Sequence, residues 1–234
     1  MKTSKLYYIL LSCLIFVINS TNAQNQIGIF DRNGDIGECR IQGFSEYSEE
    51  NQTYKIGGSG TNMWFGKDDF QYLWTTIQGD FILRAEVKFL GEGVDPHRKA
   101  GWIVKNNLDA NSKHVNATTH GDGLTTLQYR KEIGGETNEV ISEDTYPDVI
   151  QLERSGNKFI MSTAKFGEEF TIVELPDMEL DNSVYIGIYV CSHNPDVLES
   201  AEYRNVRIIK PVDPDYTPYR DYLASNLEIL DIAS

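Results

Sequence analysis

Between Asp80 and Phe89 the side chains alternate, with Phe81, Leu83, Ala85, Val87 and Phe89 on one parity and Arg84, Glu86 and Lys88 on the other. A period of two belongs to a β-strand with one buried face, because successive side chains leave a pleated chain on opposite sides. From Val149 the chain repeats the pattern, with Val149, Gln151 and Glu153 opposing Ile150, Leu152 and Arg154, before Ser155-Gly156-Asn157-Lys158 supplies a tight turn. The pair predicts a hairpin over residues 149–165. The same reading, with Val, Ile, Thr, Tyr and Phe gathered in short runs between Gly, Asn, Asp and Pro, predicts further strands over 38–43, 52–57, 70–77, 80–90, 100–106, 115–119, 124–130, 184–191 and 201–209. Helical periodicity is nowhere sustained. Many strands joined by short turns, without crossover helices, predict an all-β fold of two antiparallel sheets packed face to face.

The two ends read differently. Lys2 and Lys5, the apolar run Leu6 to Ile18, and the small-residue exit Thr21-Asn22-Ala23 have the layout of a secretory signal over 1–23, so the mature chain is expected to begin near Gln24. The run is shorter than the roughly 20 apolar residues a bilayer span requires, and no later run is longer, so no integral membrane segment is expected in the mature chain. An exported location follows, whether periplasmic, cell-surface or secreted. Leu10-Leu11-Ser12-Cys13 loosely matches a lipid-attachment motif, but the apolar run continues through Val17, which argues against a lipid anchor at Cys13. Residues 24–209 form the expected sandwich domain. Residues 210–234 form a linker with prolines at 211, 214 and 218, followed by one strand-like segment, Asn226 to Ile232.

The formal charge is −14, and losing Lys2 and Lys5 with the leader takes it to −16. With no basic stripe to offset it, this surface repels phosphate backbones and excludes nucleic acid as the expected partner. Two cysteines survive the leader, Cys39 and Cys191. Spacing alone does not fix whether they pair or remain two thiols.

The stretch Gln52 to Trp64, then Asp68-Asp69-Phe70-Gln71-Tyr72-Leu73-Trp74, then Gly79 to Val87, resembles the opening of concanavalin A-like lectin/glucanase domains of exported bacterial proteins. Lys99-Ala100-Gly101-Trp102-Ile103-Val104-Lys105 resembles the strand that follows in those domains. The resemblance covers roughly residues 35–209 and implies a jelly-roll sandwich. Pro218-Tyr219-Arg220-Asp221-Tyr222 with Ser225 to Ile232 is similar to the start of a TolB-type β-propeller, whose blades are missing from this sequence.

Within that family one glucanase signature sets Glu, Asp and Glu at alternate positions of a strand, close enough to share one face. No strand here carries it. Glu139-Val140-Ile141-Ser142-Glu143-Asp144 spaces its acids four and five apart and reads as a solvated loop. The histidines His97, His114, His120 and His193 show no metal-ligand spacing. Asp31-Arg32-Asn33-Gly34-Asp35 resembles the start of a calcium loop, but Gly34 interrupts the triplet and Gln42 stands where a bidentate Glu belongs. An Asn-Gly turn accounts for it, and no cofactor is expected.

Carbohydrate recognition needs flat aromatic faces and planar polar groups. Trp64, Trp74, Trp102, Tyr72 and Tyr129 supply the first, and Asp69, Lys99, Lys105, Asn106, His114, His120, Gln128 and Arg130 the second. Alternation places Trp102 with Ala100 and Val104 on the core side, and Gln128 with Arg130 on one sheet surface. The loop Gly91 to Lys99 gathers glycines with His97 and Arg98. The expected ligand-binding set is therefore Gln128, Arg130, His97, Arg98, Trp64, Asp69, Lys105 and His120. The reading is a carbohydrate-binding module without catalysis. A glycan hydrolase, and a structural module orienting a downstream propeller, stand as alternatives.

Overall fold

The computed structural model describes residues 26–211; the leader over 1–23, Cys13 and the propeller-like segment 218–232 lie outside the described residues. The chain forms β1 (Arg32–Ile36), β2 (Phe44–Ser48), β3 (Thr53–Gly58), β4 (Phe70–Gln78), β5 (Phe81–Leu90), β6 (Lys99–Lys105) and β7 (His114–His120). It continues with β8 (Thr125–Arg130), β9 (Asn138–Ile141), β10 (Val149–Ser155), β11 (Lys158–Ala164), β12 (Thr171–Leu175), β13 (Ser183–Cys191) and β14 (Glu199–Ile209). Among the described residues there is no helix, and so none long and apolar enough to cross a membrane.

Two seven-stranded antiparallel sheets result, in the orders β1-β4-β13-β6-β7-β8-β9 and β12-β11-β10-β5-β14-β3-β2. This is the two-sheet antiparallel sandwich that the alternation predicts and the jelly roll that the resemblance implies. The apolar parity of β5 faces inward, with Phe81, Leu83 and Ala85 fully buried against Trp102, Val104, Val115, Ala117 and Leu127 of the facing sheet. The hairpin over 149–165 pairs Ser155 with Lys158 around Gly156, whose φ of 59° is the left-handed value a two-residue turn demands.

Residues 38–43 are not a strand, contrary to the sequence reading. Their backbone groups are claimed by side chains instead: Asp69 Oδ1 accepts from Glu38 N at 2.9 Å, Ser59 Oγ from Ile41 N at 3.3 Å, and Asp35 Oδ2 from Gly43 N at 3.1 Å. Asp31 to Asp35, expected as an Asn-Gly turn, instead enters β1 at Arg32, and Asn33 and Gly34 pair with Leu73 and Tyr72 of β4. Glu139, Val140 and Ile141, expected in a loop, form most of β9. Cys39 and Cys191 are free thiols, which burial pushes up to about 12 and about 11 respectively.

Candidate functional site

Because neighbouring strands are in register, side chains opposite one another share a face. On the outward side of the first sheet this sets Tyr189, Gly101, Thr118, Thr126 and Ile141 in one row. The next rows hold Ile103, Asn116, Gln128 and Glu139, then Lys105, His114 and Arg130; Cys191, Lys99 and His120 form the row at the other end. Sequence alone suggested that such a face meets water. Three loops cover it instead, the β3–β4, β6–β7 and β8–β9 connections, and a second apolar cluster of Ile36, Met63, Phe70, Tyr72, Trp74, Ile103 and Tyr189 forms beneath them.

An ionic network pins these loops. Asp68, on the β3–β4 loop, meets Lys105 Nζ through Oδ2 at 2.5 Å and Arg130 Nη2 through Oδ1 at 2.6 Å, with all three side chains fully buried. Burial opposes the charge on Asp68, but its cationic neighbours outweigh burial and hold the carboxyl well below the usual range. His114 Nδ1 stands 3.4 Å from Asp68 Oδ2, and burial pushes this imidazole down to about 4, leaving it neutral at neutral pH. Arg130 also donates to the carbonyls of Gly135 at 2.9 Å, Ser112 at 3.1 Å and Phe65, and to Thr137 Oγ1 at 3.2 Å. One guanidinium thereby ties three loops to the sheet.

Beside the network lie polar atoms, on two adjoining rows, that are left without partners. Asn116 Nδ2 and Oδ1, Thr126 Oγ1 and Gln128 Oε1 are buried without a hydrogen-bond partner. Each unmade bond of this kind costs about 1–3 kcal/mol. Gln128 Nε2 does donate, to Glu139 Oε2 at 3.3 Å. The β3–β4 loop closes over this region, with Trp64 its half-buried ring. That loop is held by Thr137 N donating to Trp64 O at 2.9 Å and by Asp69 N donating to Asn62 O at 2.9 Å. Lys99 Nζ donates to Asn62 Oδ1 at 2.8 Å and stands 5.9 Å from the centre of the Trp64 ring.

At the Lys99 end, the Gly91 to Arg98 loop and the β7–β8 turn brace one another, with Gly121 N donating to Arg98 O at 3.0 Å and Asp122 N to Pro96 O at 2.9 Å. His120 Nδ1 lies 2.8 Å from Leu124 O, and burial pushes this ring down to about 4. His97 lies 6.3 Å from His120 and 5.5 Å from His193 between ring centres. Arg98 turns away from them to pair with Glu199 at 2.7 Å, stacked 4.4 Å over Phe89. It lines a cleft of about 520 Å³ with Phe89, Tyr146 and Phe166, which adjoins the face at His120. Another groove, of about 580 Å³, lies beside Arg32, Trp74, Tyr185 and Leu108.

Of the expected residues, Gln128, Arg130, Lys105 and His120 thus share one sheet face, with Trp64 over it and His97 at its end. Arg98 lies on the far side of its loop, and Asp69 Oδ1 is occupied by the backbone of Glu38. Asn116 and Thr126 were not among the expected site residues; Thr126 shares its strand parity with Gln128, whereas Asn116 joins that face only through the β7–β8 register. Among the described residues no group of three or more His, Cys, Asp or Glu is arranged to hold a metal ion.

The fold defines a class, the all-β jelly-roll sandwich of two antiparallel sheets, consistent with the concanavalin A-like resemblance. No protein-family model and no curated protein matches the chain. Solved structures do. A functionally unknown protein from Saccharomyces cerevisiae aligns with a TM-score of 0.54 at 11% identity over 71% of this chain and 92% of that one. Carbohydrate binding module CBM66 from Bacillus subtilis aligns with a TM-score of 0.51 at 12% identity, over 80% and 98%. An immunostimulatory antigen and pseudo β-1,3-glucanase of Mycobacterium tuberculosis aligns with a TM-score of 0.50 at 8% identity, over 81% and 96%. At these identities the likeness establishes the shared sandwich and nothing finer.

Proposed function

We propose that the protein is a carbohydrate-recognition module whose ligand binds the outward face of the first sheet, under the loop bearing Trp64. The observation that carries the reading is the group Asn116, Thr126 and Gln128 on two adjoining rows, where the Asn116 amide, the Thr126 hydroxyl and the Gln128 amide oxygen are buried without a partner among the described residues. A hydroxyl-rich ligand supplies donors and acceptors that complete these bonds, while an apolar ligand leaves them unmade. Trp64 adds the flat apolar surface that a sugar ring needs. The same fold in a carbohydrate-binding module and a pseudo-glucanase is in keeping with this reading.

Binding without hydrolysis is the form proposed. The acids on this face are Asp68, held ionised by Lys105 and Arg130, and Glu139, bonded to Gln128. Neither is arranged as the protonated acid that a paired-carboxylate mechanism requires. A glycan array probed with the purified full chain tests the proposal. Saccharide binding that Trp64→Ala and Gln128→Ala each weaken about tenfold or more supports it; an array without a bound saccharide refutes it.

A further inference from the structure

The charge of the ligand can be read from one side chain of the same face. Lys99 is 3% exposed, and among the described residues no carboxylate lies within 4.0 Å of its ammonium. Of three N–H donors, one is used, on the neutral Asn62 Oδ1. The other buried cations are compensated: Lys105 and Arg130 by Asp68, Arg98 by Glu199, and Arg154 by the carbonyls of Gly156, Leu180 and Asp181. In a chain with 35 acids against 21 lysines and arginines, a buried ammonium without a counter-ion runs against composition. The acids whose charge reaches it, Glu139 and Asp68, stand beyond salt-bridge distance, and Asp68 is taken up by Lys105 and Arg130. Across the ladder stands His120, beyond it His97 and His193, whose nearest acids, Asp122 and Asp95, lie at 3.9 and 3.3 Å from those two rings. Glu139 is two rows further along and bonded to Gln128.

We infer that the ligand is an acidic saccharide, a uronate or sulfated sugar, whose anionic group docks on Lys99 Nζ between Asn62 and Trp64. This rests on the carbohydrate reading above. Thr126 lies one row and Gln128 two rows from Lys99, each row about 7 Å from the next along the strand. A sugar anchored by its charge at Lys99 therefore sets its own or its neighbour's hydroxyls over Thr126, Asn116 and Gln128.

Calorimetry with the purified full chain tests the inference against neutral probes, cellohexaose and laminarihexaose, and acidic ones, hexagalacturonate and a chondroitin sulfate hexasaccharide. Expected is binding of an acidic probe at least tenfold tighter than either neutral one, weakening as salt rises. Lys99→Met should remove that preference and Lys99→Arg keep most of it, and the salt dependence of the unmodified chain gives a readout independent of any variant's folding. Hexagalacturonate against the sulfated probe distinguishes carboxylate from sulfate. Neutral probes bound as tightly as acidic ones, without salt dependence, overturn the inference and leave the carbohydrate reading standing. Binding of neither series overturns both.

Discussion

Replacing Asp68 by Asn examines the joint on which the covered face depends. The carboxylate sits between Lys105 and Arg130 at 2.5 and 2.6 Å with no exposed surface on any of the three side chains. Removing one partner from a buried ionic set costs about 3–5 kcal/mol, because the remaining charge stays buried. Arg130 keeps its carbonyl partners, whereas Lys105 has no other hydrogen-bond acceptor among the described residues. The loss should therefore come from the lysine and fall near the lower end, about 3 kcal/mol. For a chain of this size that is a fall in Tm of roughly 6–12 °C. Urea unfolding followed by tryptophan fluorescence measures it, and Lys105→Met added to Asp68→Asn should recover part of the loss, since it removes the stranded charge. A loss below about 1 kcal/mol, or additive effects in the double variant, refutes the claim that this network fastens the loops.

Two further outcomes follow from buried groups. His114 and His120 are both pushed down to about 4 by burial, against 6.5 in an unfolded chain, so between those values the unfolded state binds more protons and stability falls as the pH drops. Each contributes up to about 3 kcal/mol; urea midpoints that stay level from pH 7 to 4.5 would contradict this. At Gly101, φ is +155° and an added Cβ would lie 2.0 Å from Ala117 O, so Gly101→Ala should lower stability by at least about 2 kcal/mol in the same assay.

How much was legible in the sequence depended on how far each strand is buried. β5 and β10 lie inside their sheet and carry alternation strong enough to fix both extent and facing. The four strands that the sequence did not announce, β1, β2, β9 and β12, are the four sheet edges. Each is short and has a single neighbour, so Arg32-Asn33-Gly34-Asp35-Ile36 can carry turn residues and still pair along β4. Parity also placed Gln128 and Arg130 together. It could not show that Arg130 is spent on fastening loops, because its partner Asp68 comes from a segment 62 residues away. Lys99 stood among many polar residues, and what distinguishes it, burial without a carboxylate, exists only once the chain is folded.

Backbone and side-chain NMR during titration with the tightest-binding saccharide tests the central claim most directly. Shifts gathered at Lys99, Asn116, Thr126, Gln128 and the Trp64 indole are predicted. Shifts confined to the Phe89, Tyr146 and Phe166 cleft, with the Asn116 and Gln128 amides unmoved at saturation, would contradict it.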